Sequence, residues 1–347
     1  ERPTKMQKRT ITFFYRLFGL KNRHVTVGDL VNDYAFRVMV QSSAATASSS
    51  DSASSTDQRL IWINGHLIPR SEAKVSVFDH GFLYGDGVFE GIRIYNGRIF
   101  KLRSHLVRLM ESAERIHLDP KLSIDEIEDL TRQTVAANNL QDGYIRLILS
   151  RGEGTLGLNP FSCPEPGVIC IADSIRLYPE EMYQDGMKVI VAERPRIPVE
   201  CLDPSVKSLN YLNNILAKCE ALRQGLYEAI MLNTRGEVAE GTGDNIFVVK
   251  DGVISTPAPD AGFLLGITRQ FVIDTVAPAC QYSVLERSLR LEDLYDADEI
   301  FLTGTAAEVI GASKIGDRII GNGKVGPITQ KFTKTFREMV SDNAPED

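Results

Sequence analysis

Three short stretches constrain this 347-residue chain more than anything else in it: RLIWINGHLI (59–68), GIRIYNGRIFKL (91–102) and NIFVVKDGVIST (245–256). Each sets an Asn-Gly or Asp-Gly pair, at 64–65, 96–97 and 251–252, between apolar runs. Such pairs accept the positive φ that a two-residue turn demands, so each stretch reads as a tight β-hairpin. Helical patterns lie between and after them. RSHLVRLMESAERI (103–116) puts Leu106, Leu109, Met110 and Ala113 on one face, and a second helix is predicted over 123–139 with Ser123 as its N-cap. YIRLILS, GVICIA, MKVIVAE, EAIMLN and ADEIFLTGT read as strands, and a helix is predicted after GITR. The class is α+β.

The polar, turn-rich DSIRLYPEEMYQDG (173–186) reads as a joint, giving a small α+β domain over 59–175 and a larger one over 176–341. That length is enough to bury two cores with a cleft between them. Residues 1–58 read differently. Lys5, Lys8 and Arg9 precede ITFFYRLFGL, a weak leader-like run that Arg16 interrupts, and no run approaches a membrane span. QSSAATASSSDSASSTDQ (41–58) is too rich in Ser and Ala to build a core. This segment is expected to be a poorly ordered or targeting extension, with Met39 a candidate initiator. A net charge of −7 speaks against nucleic acid as a main partner, because phosphate binding needs a basic face. The five cysteines form no C-x-x-C pair and the five histidines no cluster, so free thiols and no metal are expected. No membrane association is expected, and the cytoplasm is the default compartment, with organellar targeting by the extension left open.

GNGKVG (321–326) fits G-x-G-x-x-G letter for letter. With Pro327 following and the chain soon ending, it reads as a hairpin turn and not a dinucleotide site. VKSLNYLNN (206–214) is more telling. A lone lysine is ordinarily a solvated charge. Here Ser208 is a good N-cap for a helix with Leu209, Leu212, Leu216, Cys219 and Leu222 at helical spacing, so Lys207 would sit where helix potential favours a neutral, nucleophilic amine. Glu240 ends a strand before a Gly-rich turn, where a carboxylate could meet a ring nitrogen. Gly266, Ile267 and Thr268 open a helix, whose free N–H groups and hydroxyl suit a phosphate. Amine, acid and phosphate cup are together what pyridoxal phosphate requires.

Seven motifs then occur in one order: YGDGVFEGIR (84–93), HLVRL (105–109), YIRLILSRG (144–152), KSLNYLNNILAKCEA (207–221), EVAEGTGDNIFVV (237–249), LLGITR (264–269) and FLTGTAAEV (301–309). Over residues 59–340 the chain resembles the branched-chain aminotransferases of pyridoxal-phosphate fold-type IV, the D-amino-acid-aminotransferase-like fold with its site between two domains. The resemblance implies pyridoxal 5′-phosphate as cofactor, Lys207 as the lysine that holds it and moves protons, and Glu240 as partner of the ring nitrogen. It implies Arg108, Ile267, Thr268 and Thr305 around the phosphate, with Leu264 beside them, and Tyr211 on the phenolic oxygen. Tyr211 follows the lysine by four residues, where some members have five. For the substrate it implies Tyr84, Phe89, Arg93, Tyr144 and Arg146 as pocket lining, with Thr305 and Ala306 holding the α-carboxylate. The implied reaction moves an amino group from Leu, Ile or Val to 2-oxoglutarate, in a homodimer or larger homo-oligomer. D-amino-acid transaminases share KSLN and YGDGV, and a lyase acting on aminodeoxychorismate uses the same machinery. A binding protein without catalysis is expected to have lost Lys207 or Glu240, and this chain keeps both.

Overall fold

The computed structural model describes residues 58–175 and 178–343, so the extension read over 1–58 lies outside the described residues save for Gln58. The chain begins with strands β1 (Leu60–Ile63) and β2 (His66–Pro69), then helix α1 (His80–Tyr84) and strands β3 (Gly87–Tyr95) and β4 (Arg98–Ile99). Helices α2 (Leu102–Arg115) and α3 (Ile124–Ala137) follow, and β5 (Gly143–Ser150) and β6 (Gly167–Asp173) complete an antiparallel sheet of order β2-β1-β6-β5-β3-β4. Both hairpin turns here form as the dipeptides require, with φ of 46° and 94° at Asn64-Gly65 and 48° and 77° at Asn96-Gly97. Ser123 caps α3 in a full capping box with Glu126. One face of the sheet is apolar: Val88, Ile92 and Ile94 of β3 and Ile145, Leu147 and Leu149 of β5 pack under Leu102, Leu106, Leu109, Ile127 and Leu130 of the two helices.

The rest of the chain forms α4 (Glu180–Asp185), β7 (Met187–Val191), α5 (Leu212–Arg223), β8 (Glu228–Leu232), β9 (Val238–Gly241), β10 (Asn245–Lys250) and β11 (Val253–Pro257). Then come α6 (Ile267–Phe271), running on through a π turn at Val272–Val276 to Ala277–Ala279, β12 (Val284–Arg287), α7 (Leu291–Tyr295), β13 (Glu299–Gly304), β14 (Glu308–Ile315), β15 (Arg318–Ile319) and α8 (Pro327–Asn343). The second sheet has the order β12-β11-β10-β13-β14-β7-β8-β9, with β15 on β14; β7 is parallel to both β14 and β8. Its core holds Phe247, Phe301, Phe332, Phe271 and Phe336, with Phe247 and Phe301 stacked at 4.7 Å.

Two sequence expectations change. The helix after Lys207 starts only at Leu212, with Tyr211 as its cap and no side-chain cap bond, so Ser208 is not an N-cap. Its buried face is Asn214, Ala217 and Ala221, while Leu212, Leu216 and Leu222 are exposed. Small residues let the helix lie close on β8, and the leucines are left outward. GNGKVG is not a hairpin turn either; it joins β15 to α8. The first N–H groups of that helix are occupied from within, since Ile328 and Thr329 donate to the Glu299 carboxylate at 3.1 and 2.8 Å. A carboxylate already fills the place of a phosphate.

Candidate active site

Strand periodicity gathers the first part of the site. In the β3–β5 register Phe89 faces Ile148, Gly91 faces Arg146 and Arg93 faces Tyr144. Directly paired residues share a sheet face, so Phe89, Arg93, Tyr144 and Arg146 all lie opposite the helix-covered core. Gly91 is needed here: a Cβ on it would lie 1.8 Å from the Tyr144 hydroxyl. The Arg146 guanidinium stacks 4.4 Å over Phe89 and donates to the Tyr144 hydroxyl at 3.4 Å.

Lys207 reaches this face because its segment pairs with the N-terminal end of β3. Phe89 N–H donates to Lys207 C=O at 3.0 Å, Leu209 N–H to Gly87 C=O at 2.8 Å, and Val88 bridges to Ser208. The amine's setting therefore comes from side chains, not from a helix end. Lys207 Nζ donates to the Tyr211 hydroxyl at 3.3 Å and stands 4.9 Å above the Phe89 ring. Tyr211 in turn meets Phe89 edge-on at 5.0 Å. Among the described residues no carboxylate forms an ion pair with Lys207. An amine with an aromatic floor, one hydroxyl and no fixed counter-charge is free to take part in chemistry.

Glu240 is buried, not a solvated turn residue. Arg196 Nε donates to one oxygen at 2.7 Å and Leu264 N–H to the other at 3.3 Å. Burial pushes its carboxyl up, against the charge and hydrogen bond of Arg196 and the charge of Lys207, and the balance lies above the ordinary value. Arg196 is itself braced by Asn213 Oδ1 at 3.2 Å.

Arg108, Ile267 and Thr268, expected around a phosphate, lie where α2 approaches α6. Arg108 makes a bidentate pair with buried Glu90 at 2.7 and 2.8 Å and donates from Nη1 to Leu265 C=O at 2.7 Å. His105 Nδ1 lies 2.7 Å from the same carboxylate. Burial alone would raise the Glu90 carboxyl, but the Arg108 and His105 charges and hydrogen bonds outweigh it and hold it far below the carboxylate range. Burial pushes His105 down, so the neutral ring carries its hydrogen on Nδ1, toward an acceptor-only carboxylate. At α6, Gly266 precedes Ile267 and buried Thr268, and no side chain caps the helix. A Cβ on Gly266 would lie 2.0 Å from Asn245 Oδ1, and the Asn245 amide donates to Leu264 C=O at 2.8 Å. Thr305 and Ala306 form the turn between β13 and β14, half-buried and exposed respectively.

Two sequence candidates are engaged by other partners. Tyr84 donates its hydroxyl to Leu156 C=O at 2.6 Å, on the loop before Pro160. Arg93 is buried over Tyr95 at 4.5 Å and lies 3.9 Å from Glu308, which Arg337 also pairs at 3.0 Å. The sequence reading missed Glu90, His105, Arg196 and Asp244. Glu90 was visible as a carboxylate at an inward position between Val88 and Ile92, with His105 and Arg108 three apart on a helix. Arg196, in ERPRIP, carried no such signal.

The profile of class IV amino-transferases matches residues 87–315. A Pseudomonas aeruginosa branched-chain-amino-acid aminotransferase is 40% identical over 288 residues, covering 81% of this chain and 93% of that one. The Escherichia coli branched-chain amino acid aminotransferase structure superposes with a TM-score of 0.80 at 34% identity, covering 84% of this chain and 97% of that one. The T.th. branched-chain amino acid aminotransferase, solved with pyridoxamine 5′-phosphate, gives 0.80 at 37% identity over 83% and 96% of the two chains. The fold is thus fold-type IV, and the chain, a transferase, belongs to the branched-chain aminotransferases within the class IV amino-transferase family.

Proposed function

We propose that the protein transfers the amino group of L-leucine, L-isoleucine or L-valine to 2-oxoglutarate, using pyridoxal 5′-phosphate held by Lys207. The observation that carries this reading is the pairing of a lysine over the Phe89 face, with no carboxylate ion-paired to it among the described residues, and a buried carboxylate, Glu240, fixed by Arg196. The residues fit the cofactor on three further features. Glu240 keeps one oxygen bound only by a 3.3 Å backbone contact, α6 has no side-chain cap, and Tyr211 offers a hydroxyl beside the amine. Arg108, Ile267, Thr268 and Thr305 would hold the phosphate, with Leu264 alongside.

Bound pyridoxal phosphate supplies an electron sink for the carbon that loses its proton. Lys207 Nζ would take the proton from substrate Cα and later give it back, base and then acid, with Tyr211 orienting the amine. Glu240, as a carboxylate beside Arg196, would keep a proton on the ring nitrogen. Phe89 and Tyr144 pack against the aliphatic side chain. The Thr305–Ala306 turn takes the α-carboxylate. Of the two arginines, Arg146 meets the second carboxylate of glutamate, because Arg93 is already turned to Glu308.

The chain functions as a homodimer or larger homo-oligomer. Supporting this, Phe82 on α1 and Leu156, Leu158 and Phe161 on the neighbouring loop are exposed, and so are Leu212 and Ile215 of α5. We take 59–175 and 176–341 as its two domains, each with its own sheet, and the cytoplasm as its compartment; among the described residues no helix is long and apolar enough to cross a membrane.

The test is a visible spectrum of the purified protein, followed by turnover. Absorbance that bleaches with L-leucine but not D-alanine, with glutamate formed from 2-oxoglutarate and no pyruvate, supports the reading. Bleaching by D-alanine would favour a D-amino-acid transaminase, and pyruvate release the lyase. Borohydride should fix the cofactor to Lys207, and a label on another residue overturns the assignment.

A further inference from the structure

Asp244 lies in the turn from β9 to β10, nine-tenths buried, and among the described residues its carboxylate accepts no hydrogen bond. It is pressed against the substrate side of the fold: a Cβ on Gly304 would lie 2.0 Å from Asp244 Oδ1. Gly304 is the last residue of β13 and opens the Thr305–Ala306 turn. Among the described residues, charged and titratable groups act on Asp244 from several elements. These are Glu228 of β8, Lys218 of α5, Glu240 of β9 and Lys207, together with Tyr178 and Tyr183, whose phenols Asp244 helps to push up. Among the described residues the nearby cations are committed elsewhere. Lys218 is 2.8 Å from Glu228, and Lys207 serves the reaction. Burial, then the Glu228 charge, pushes the Asp244 carboxyl up to about 7.

A substrate carboxylate arriving at this turn brings a further negative charge to a buried acid that has no hydrogen-bond partner among the described residues. We propose that Asp244 is a positioning residue that must carry a proton for a carboxylate to occupy the Thr305–Ala306 turn, so that substrate binding is coupled to proton uptake at Asp244. This rests on the reading of that turn as the α-carboxylate site. Lys207 Nζ hydrogen-bonds Tyr211 and not Asp244, so the coupling is expected on KM, with kcat as its control.

The test uses holoenzyme between pH 6.5 and 8.5. KM for 2-oxoglutarate, and the inhibition constant of 4-methylvaleric acid (leucine-shaped, with no amino group to react), should both weaken by about tenfold or more across that range, while kcat stays flat. Asp244→Asn, the uncharged isostere, should bind at pH 8.5 as tightly as the parent does at pH 6.5, with no slope. Asp244→Glu should restore a slope. Calorimetry of 4-methylvaleric acid binding in two buffers of different ionisation enthalpy should report proton uptake in the parent and none in Asp244→Asn. An Asn variant that keeps the parental slope, or that binds weakly already at pH 6.5, overturns the proposal. If that variant fails to fold, an Asp244→Glu slope with an unmoved midpoint does the same. Failure of the transaminase reading would show separately, as no change in the visible spectrum on adding L-leucine.

Discussion

Two buried glutamates on two sheets serve as a natural comparison. Glu90 of β3 and Glu240 of β9 are both strand carboxylates shut away from water, and each meets an arginine. Glu90 receives both prongs of the Arg108 fork and the His105 ring, and its carboxyl is held far below the usual range. Glu240 receives one arginine nitrogen and one long backbone contact, and its carboxyl sits above that range. Burial is the same in kind, so the number and charge of partners decide the outcome. The saturated acid is a structural clamp that joins β3 to α2 and aims Arg108. The half-saturated acid has capacity left for a ligand.

The largest expected effect is on the clamp. Glu90→Gln leaves the Arg108 guanidinium buried against a neutral amide, which should cost about 3–5 kcal/mol of stability. A thermal melt of the holoenzyme would register it, while kcat at saturating cofactor should stay within a few-fold. If activity fell first and the melt did not move, Glu90 would belong with the chemistry. Glu240→Gln should behave in the opposite way. Arg196 is also left against a neutral amide, but it keeps the amide oxygen and Asn213 as acceptors, so the melt should fall by less than in Glu90→Gln, while kcat should fall by about a hundred- to a thousandfold because the anion proposed to face the ring nitrogen is gone. Comparable kcat in parent and variant would remove Glu240 from its proposed role.

The same contrast recurs between two arginines on one face. Arg93 is committed to Glu308, whereas Arg146 lies between two aromatic rings, with no carboxylate ion-paired to it among the described residues. Arg146→Ala should lower kcat/KM for glutamate by about 1.5–3 kcal/mol, the worth of a hydrogen bond to a charged group. For leucine, which lacks the second carboxylate, the loss should be less than about threefold, within the range of a packing change. Equal losses for both substrates would refute the division of labour.

Local signals were legible where one short-range rule dominates. Asn-Gly turns, the Ser123 capping box and the alternation of YIRLILS lie within a few residues of what they specify. Ser208 was misread because its capping chemistry competes with pairing to Val88, more than a hundred residues away, and the pairing wins. The leucines of α5 marked a helix correctly, but helical spacing identifies an apolar stripe and not which stripe faces inward. For the site, motif order led to Lys207 and Glu240. The groups that set their environment, Arg196 and the Glu90–His105 pair, come from distant segments and become visible only as buried charges seeking partners.

The smallest effect separates the two glutamates by the sign of their pH dependence, measured on the cofactor-free chain so that no ring nitrogen intervenes. Glu90 has a depressed folded value, so its stabilisation is complete above the ordinary glutamate pKa of about 4.3 and is lost only as strong acid takes the pH down through the folded value. Glu240 has a raised folded value. The folded chain holds that proton more tightly than the unfolded chain does, so stability declines as pH climbs from about 4.3 through the folded value, by at most about 1.4 kcal/mol per pH unit. Denaturant midpoints followed upward from about pH 4.3 should therefore show a constant gap between the parent and Glu90→Gln. The gap to Glu240→Gln should drift in the variant's favour as pH rises, because the amide never ionises. Should both gaps stay level, Arg196 would be neutralising Glu240 as fully as Arg108 does Glu90, and the distinction between a saturated clamp and a carboxylate with capacity to spare would dissolve.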